Sequence, residues 1–291
     1  MKDFKHKVAA ITGAGSGIGR ALALELTGRG CALALSDIDN DGLLETLRLV
    51  QAGGGTDTST ALVDVSDRNA VFEWAGECRA RHGKVNLLFN NAGVALNSMA
   101  ESTRPEDFEW LMGVNFWGVV NGCQAFVPHL RASGAGHVVN ISSVFGLMAM
   151  PTQSAYNASK FAVRGFTEAL RMELELAGAP VGVTCVHPGG VATNIARAGR
   201  VDPAMAAIMG MDAARQRERA HRMIQGTSPG TAARQILAGV ERNARRVLVG
   251  PDARVVDWMT RLLGSAYQVL VLRQVRKMRA ADLLAAKGKA A

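Results

Sequence analysis

Two side chains four residues apart, Tyr156 and Lys160, are the first pair in this 291-residue chain whose types could move a proton. On a helix that spacing puts both on one face, so an ammonium would stand beside a phenol. A phenol titrates near ~10 and is a poor base at neutral pH, but a neighbouring cation stabilises the phenolate and brings it into range for general acid/base work. Y-x-x-x-K also arises by chance on helix surfaces, so its surroundings decide its meaning. Those surroundings include Asn90-Asn91-Ala92-Gly93, Asn115, Asn140-Ile141-Ser142-Ser143 and His187-Pro188-Gly189-Gly190.

A second constellation is Thr12-Gly-Ala-Gly-Ser-Gly-Ile-Gly-Arg20. Gly13, Gly17 and Gly19 permit a tight turn and close approach of backbone to a ligand. With Ser16 and Ile18 they open a helix whose free N–H groups suit a pyrophosphate. Asp37, 18 residues after Gly19, ends the second apolar run, where a carboxylate accepts hydrogen bonds from both hydroxyls of an adenosine ribose and repels a 2′-phosphate. Ser16 precedes Gly17 and Ile38 follows Asp37, so the cations expected for NADP are missing and NAD(H) is favoured. An ordinary turn is the alternative for Asp37, given Asp39-Asn40-Asp41-Gly42 just beyond it. Asp64, with Val65 after it, ends the third run and is the candidate for the adenine end.

These groups need a scaffold, and the hydropathy pattern supplies one. Strands are expected at 8–12, 32–36, 60–65, 87–90, 137–142, 181–186 and 246–249, alternating with helices such as 18–29, 67–82, 105–131 and 153–177. That alternation implies one doubly wound, Rossmann-type α/β domain over residues 1–250, with a seven-stranded parallel sheet and helices on both faces. The candidate residues then fall at or near carboxyl ends of strands, where such sheets bind ligands. Residues 192–226, with Met205, Met209, Met211 and Met223, break the rhythm and form a candidate substrate lid.

Taken together, T-G-A-G-S-G-I-G, N-N-A-G, Asn115, Ser143, Y-N-A-S-K and P-G-G-V-A-T resemble the short-chain dehydrogenase/reductase family. The likeness covers about residues 6–250, with Ser143 standing 13 residues before Tyr156 as that family requires. The resemblance implies an oxidoreductase in which hydride passes directly between nicotinamide and substrate carbon. It implies that Tyr156 transfers the proton, Ser143 holds the substrate oxygen, Lys160 binds the nicotinamide ribose and tunes Tyr156, and Asn115 maintains a water-linked proton path. Asn91, Ala92 and Gly93 would line the cofactor cleft, with Pro188, Gly189, Val191 and Thr193 at the nicotinamide end. It also implies a homo-oligomer, dimer or tetramer, through helices 105–131 and 153–177. Ser142 is the less suited serine. His187 reads as a strand-end residue, and no cluster has metal-ligand spacing, so no metal is expected.

The substrate side is apolar. Val144, Phe145, Leu147, Met148 and Met150 suggest a hydrophobic secondary alcohol or ketone bound at Ser143, Phe145, Met150 and Tyr156; the alternative is that they pack the loop. Arg197, Arg200 and Arg215 offer the rival of an anionic substrate such as an acyl thioester. Residues 1–194 carry 15 basic and 18 acidic side chains, and residues 195–291 carry 18 basic and 7 acidic, so the net charge of +8 belongs to the C-terminal third. A solvated basic face explains this without nucleic acid. Residues 251–291 form a basic amphipathic extension that packs on the body or a neighbouring subunit, with peripheral membrane contact as the alternative. Four scattered cysteines, no leader-like N-terminus and no apolar run near ~20 residues lead to the expectation of an unprocessed cytoplasmic protein.

Overall fold

The computed structural model describes residues 3–55, 57–205 and 210–287. Its strands are β1 (Val8–Thr12), β2 (Ala32–Asp37), β3 (Thr58–Leu62), β4 (Leu87–Asn90), β5 (Leu96–Asn97), β6 (Gly136–Ile141), β7 (Val181–Pro188), β8 (Arg200–Val201) and β9 (Arg246–Val249). Seven form the expected parallel sheet, in the order β3-β2-β1-β4-β6-β7-β9, while β5 and β8 pair separately. Strand order reverses between β1 and β4, which opens a crevice beyond their carboxyl ends.

The helices are α1 (Gly17–Thr27), α2 (Asn40–Ala52), α3 (Arg68–His82), α4 (Pro105–Met112), α5 (Gly118–Ala132), α6 (Ser154–Leu176), α7 (Ile195–Ala198), α8 (Ala213–Met223), α9 (Pro229–Glu241), α10 (Pro251–Leu263) and α11 (Tyr267–Lys287). Central strands read as unbroken apolar runs because both faces are covered. Ile11, Leu87 and Phe89 join one core with α1, α2 and α9; Ala10 and Leu88 point the other way, into a core with α3, α5 and α6. Cys31, Cys78, Cys123 and Cys185 are free and buried, and burial pushes each thiol up to about 12.

Four sequence expectations are corrected. The third strand ends at Leu62, short of Asp64, whose carboxylate turns back to accept from the Ser66 backbone N–H (2.9 Å) and hydroxyl (2.7 Å). The turn weighed as the alternative for Asp37, with Asp39–Gly42 beyond it, is a helix start: Asp39 caps α2 by accepting from the Gly42 N–H at 3.1 Å. The continuous helix expected over 105–131 is interrupted by a π-helical turn, Gly113–Trp117, in which the Gly118 N–H donates to the carbonyl of Gly113, five residues back. The C-terminal extension breaks at Gly264 (φ +52°) into α10 and α11.

Two buried histidines give the fold a pH signature. His137 meets Thr184 Oγ1 at 2.8 Å, and desolvation lowers its pKa to about 3; His187 is lowered to about 4 by the same cause. Both are neutral when folded, so the unfolded chain binds their protons first as pH falls below ~6.5. The stability they allow is fully present above that value and is lost at ~1.4 kcal/mol per pH unit per histidine as pH falls towards their folded values. Urea unfolding between pH 7 and 5 should show this decline, reduced by about half in His137→Gln; an identical decline in the variant would contradict it.

Candidate active site

The glycine turn after β1 is shaped for close contact. Gly13 and Gly17 have φ of +64° and +52°, and a Cβ at Gly19 would stand 2.1 Å from the Gly13 carbonyl oxygen. The loop after β4 clamps this turn: Asn91 Nδ2 donates to the carbonyls of Thr12 (3.0 Å) and Gly13 (3.1 Å), and the backbone N–H groups of Asn91 and Ala92 donate to Thr12 Oγ1. Ser16 stands at the N-cap of α1 without making a side-chain cap bond, Ile18 packs on the core, and the Thr193 methyl borders Gly17. Asp37 lies beside the same turn, accepting from the N–H groups of Gly15 (2.7 Å) and Asp39 (3.0 Å). A cradle that Cβ atoms would fill, a helix N-terminus and a carboxylate at the end of β2 fit a dinucleotide. Asp64 is exposed and accepts from Ser66 through Oδ1, while Val65 is buried where a Cβ on Gly118 would meet it at 2.6 Å.

Helix α6 brings Tyr156 and Lys160 under the end of β6. Ser142 and Ser143 diverge there: the Ser142 hydroxyl donates to the Lys160 carbonyl at 2.8 Å, whereas the Ser143 hydroxyl accepts from the Phe145 N–H at 3.1 Å and stands near the Tyr156 phenol. His187 Nδ1 donates to the Ser143 carbonyl at 2.9 Å, so this histidine fixes the serine's backbone and remains neutral. Burial pushes the Tyr156 phenol up to about 12, with the nearby Ser143 hydroxyl opposing. Desolvation brings the buried Lys160 down to about 8. Its Nζ donates to the Ile141 carbonyl (3.1 Å) and lies 5.6 Å from the Tyr156 ring centroid. The four-residue spacing thus places the ammonium against the Tyr156 ring, while Ser143 is the polar group that acts on the phenol. Asn115, in the π-turn, uses its amide on Val94, accepting from its N–H (2.8 Å) and donating to its carbonyl (3.0 Å). A Cβ on Gly93 would crowd Asn115 Oδ1 at 3.2 Å and Lys160 Nζ at 3.6 Å.

The apolar loop divides in two. Leu147 and Met148 are buried and pack it, while Phe145 and Met150 are half-buried, Phe145 meeting Tyr156 edge to face at 6.0 Å. Three residues that sequence reasoning missed hold this region. Asn157 donates to the carbonyls of Phe145 and Met148 and accepts from the Met150 N–H. Tyr267, at the start of α11, accepts from the Ala149 N–H at 2.9 Å. Asp252, from α10, accepts from the Gly190 N–H at 2.6 Å, and a Cβ on Gly189 would lie 2.2 Å from its carboxylate. Asn157 stands inside Y-N-A-S-K and Tyr267 is one of two tyrosines, which are usable signals; Asp252 carries none.

The segment 192–226 is more structured than a bare loop. Its residues 206–209, Met209 among them, lie outside the described residues. β8 pairs with β5, the Ala192 N–H bonds the Thr227 carbonyl, and Met205 is buried. Arg200 pairs with Asp107 at 2.8 Å and stacks on Trp110, Arg197 pairs with Glu218, and Arg215 lies 3.8 Å from Asp212. The arginines considered for an anionic substrate are therefore engaged within the protein.

Comparison with known proteins agrees with this geometry. The family model for short chain dehydrogenase matches residues 7–203. The chain belongs to that family. This oxidoreductase is 51% identical over 277 residues to SadH of Mycobacterium tuberculosis, itself named an oxidoreductase, covering 95% of this chain and 98% of that protein. It is 34% identical over 258 residues to a C alpha-dehydrogenase of Sphingobium sp., covering 87% and 84% of the two chains. A short chain dehydrogenase/reductase from Burkholderia phymatum, solved in complex with NAD, is similar with a TM-score of 0.82 and 34% identity, over 90% of this chain and 95% of that one.

Proposed function

We propose that this oxidoreductase interconverts an apolar secondary alcohol and its ketone with NAD(H), using Tyr156 as general acid and base. The observation that carries the reading is that Ser143, Tyr156 and the buried Lys160 stand together, Lys160 Nζ 5.6 Å from the Tyr156 ring centroid, at the same sheet end as the glycine cradle. NAD(H) supplies the hydride acceptor or donor; Asn91, Ala92, Gly93, Pro188, Gly189, Val191 and Thr193 line its place, with Asp37 taking the ribose hydroxyls.

The protein's own part is proton handling. Ser143 gives its hydrogen bond to the substrate oxygen, and the Tyr156 phenol donates a proton to that oxygen in reduction or accepts one in oxidation. A phenol held up to about 12 stays protonated near neutral pH, so oxidation, which needs the phenolate, demands added positive charge near it. Lys160 is placed to supply part of that charge and to bind the nicotinamide ribose. Phe145 and Met150 offer the apolar contact. The NAD-bound relative supports the cofactor choice. Exposed Trp117, Phe161 and Met172 on the faces of the π-turn and α6 support the expected homo-oligomer.

Purified protein should reduce NAD in preference to NADP with bulky apolar secondary alcohols, followed by NADH fluorescence. Asp37→Ala should cut the NAD over NADP preference by roughly tenfold or more, through loss of the ribose bonds and of the charge that repels a 2′-phosphate. Turnover with NADP alone would overturn the cofactor assignment, and an unchanged preference in the variant would remove Asp37 from it.

A further inference from the structure

We infer that the outer face of α10 and α11 docks on an anionic lipid surface. Helix α10 is inside out. Its small and polar residues face the body: Ala253 and Asp257 are buried, and Asp257 pairs with Arg246 of β9 at 3.0 Å. Its apolar residues face outwards, with Val255, Trp258 and Leu262 at 66%, 66% and 72% exposure. Those three, spaced three and four apart, make one continuous stripe. Helix α11 seats Tyr267, Val271, Val275 and Met278 inwards and exposes Val269, Leu270 and Leu272 beside it. An apolar stripe turned to water on a helix already seated through its polar side implies a further partner.

Charge selects which partner. Between residues 251 and 280 the chain carries Arg254, Arg261, Arg273, Arg276, Lys277 and Arg279, all exposed, against Asp252 and Asp257. Both carboxylates are engaged inside the protein, on the Gly190 N–H and on Arg246 and Arg261. Two copies joined through this face would bring like charges together, whereas an anionic headgroup layer neutralises them. Long basic stems flanking Trp and Leu suit the boundary between headgroups and acyl chains, with the apolar stripe below and the cations above. No helix among the described residues is long and apolar enough to cross a membrane, so the contact is peripheral.

The test is flotation of the full chain with vesicles of phosphatidylcholine alone or mixed with phosphatidylglycerol, compared with a Trp258→Ser/Leu262→Ser double variant. The full chain should float with the mixed vesicles, release as salt rises, and stay behind with the neutral ones; the variant should bind roughly tenfold more weakly. Solution turnover and far-UV dichroism of the variant should be unchanged, since neither side chain touches the site, and a variant that fails either check is replaced by Arg273→Gln/Arg276→Gln, for which the same loss is expected. Absence of flotation, equal flotation by a folded variant, or a lipid-free dimer that the substitutions dissociate would each overturn the inference, the last by showing that a second copy covers the face. Because the readout is flotation, its failure is separate from any failure of the proposed reaction.

Discussion

Tyr156→Phe should lower kcat/KM by on the order of 10³-fold while leaving NADH binding within about twofold of wild type. The substitution removes one oxygen and keeps the ring, so the edge-to-face contact with Phe145 and the cation over the ring both survive. What disappears is the phenolic proton beside Ser143, at the place where the substrate oxygen must sit. Steady-state rates together with NADH fluorescence titration separate the two effects. Turnover within tenfold of wild type would reject Tyr156 as the acid/base, and a parallel loss of NADH binding would show that the ring, not the proton, had been disturbed.

Lys160→Met should abolish most turnover, by about 10² or more, and yet stabilise the ligand-free protein. Burial holds Lys160 at about 8 against ~10.5 when unfolded. The sign follows from linkage: the unfolded chain keeps the proton more tightly, so below pH 8 the folded state bears a cost of up to ~3 kcal/mol, which vanishes as pH rises above the unfolded value. Methionine fills similar space without charge, forfeiting ~1 kcal/mol for the donor lost to Ile141. A net gain of ~2 kcal/mol at pH 7, read as a raised urea midpoint, should shrink towards pH 10. A lowered midpoint would mean that the ammonium supports the fold and not only the chemistry.

That trade also shows why the site was legible in the sequence. Residues retained against stability stand out as types out of place: a lysine on a sheet-facing helix, an asparagine in a core, glycines where a Cβ would collide with Gly13 or Asp252. Strands β1, β4 and β9 were legible to the residue, because short apolar runs end at Gly, Asn or Gly-Pro. Asp64 misled because Val63 and Val65 keep a strand's alternation while being buried outside the sheet; the period-two pattern reports burial, and only the Asp64–Ser66 bonds end the strand. The direction of the α10 stripe was illegible for a related reason. A hydrophobic pattern says that a helix has two unlike faces, and nothing in it says which face turns inwards; Arg246, on the preceding strand and outside the helix, decides that by binding Asp257.

The π-turn around Asn115 acts as a phase shifter. Leu111, Asn115, Val119 and Cys123, all buried, are separated by three successive steps of four residues. On a regular helix each such step drifts by about 40°, so three would carry the last residue about 120° off the line, out of the core. One extra residue in the turn absorbs about 100° of this. The two helices on either side therefore behave as gears meshed at a fixed offset, α4 indexed to Leu96 and Ala155 and α5 indexed to the sheet. Substitutions can tune either gear, but deleting a single residue from 113–117 would slip the mesh and rotate Asn115 away from Val94, which makes this short stretch intolerant of changes in length even where it tolerates changes in side chain.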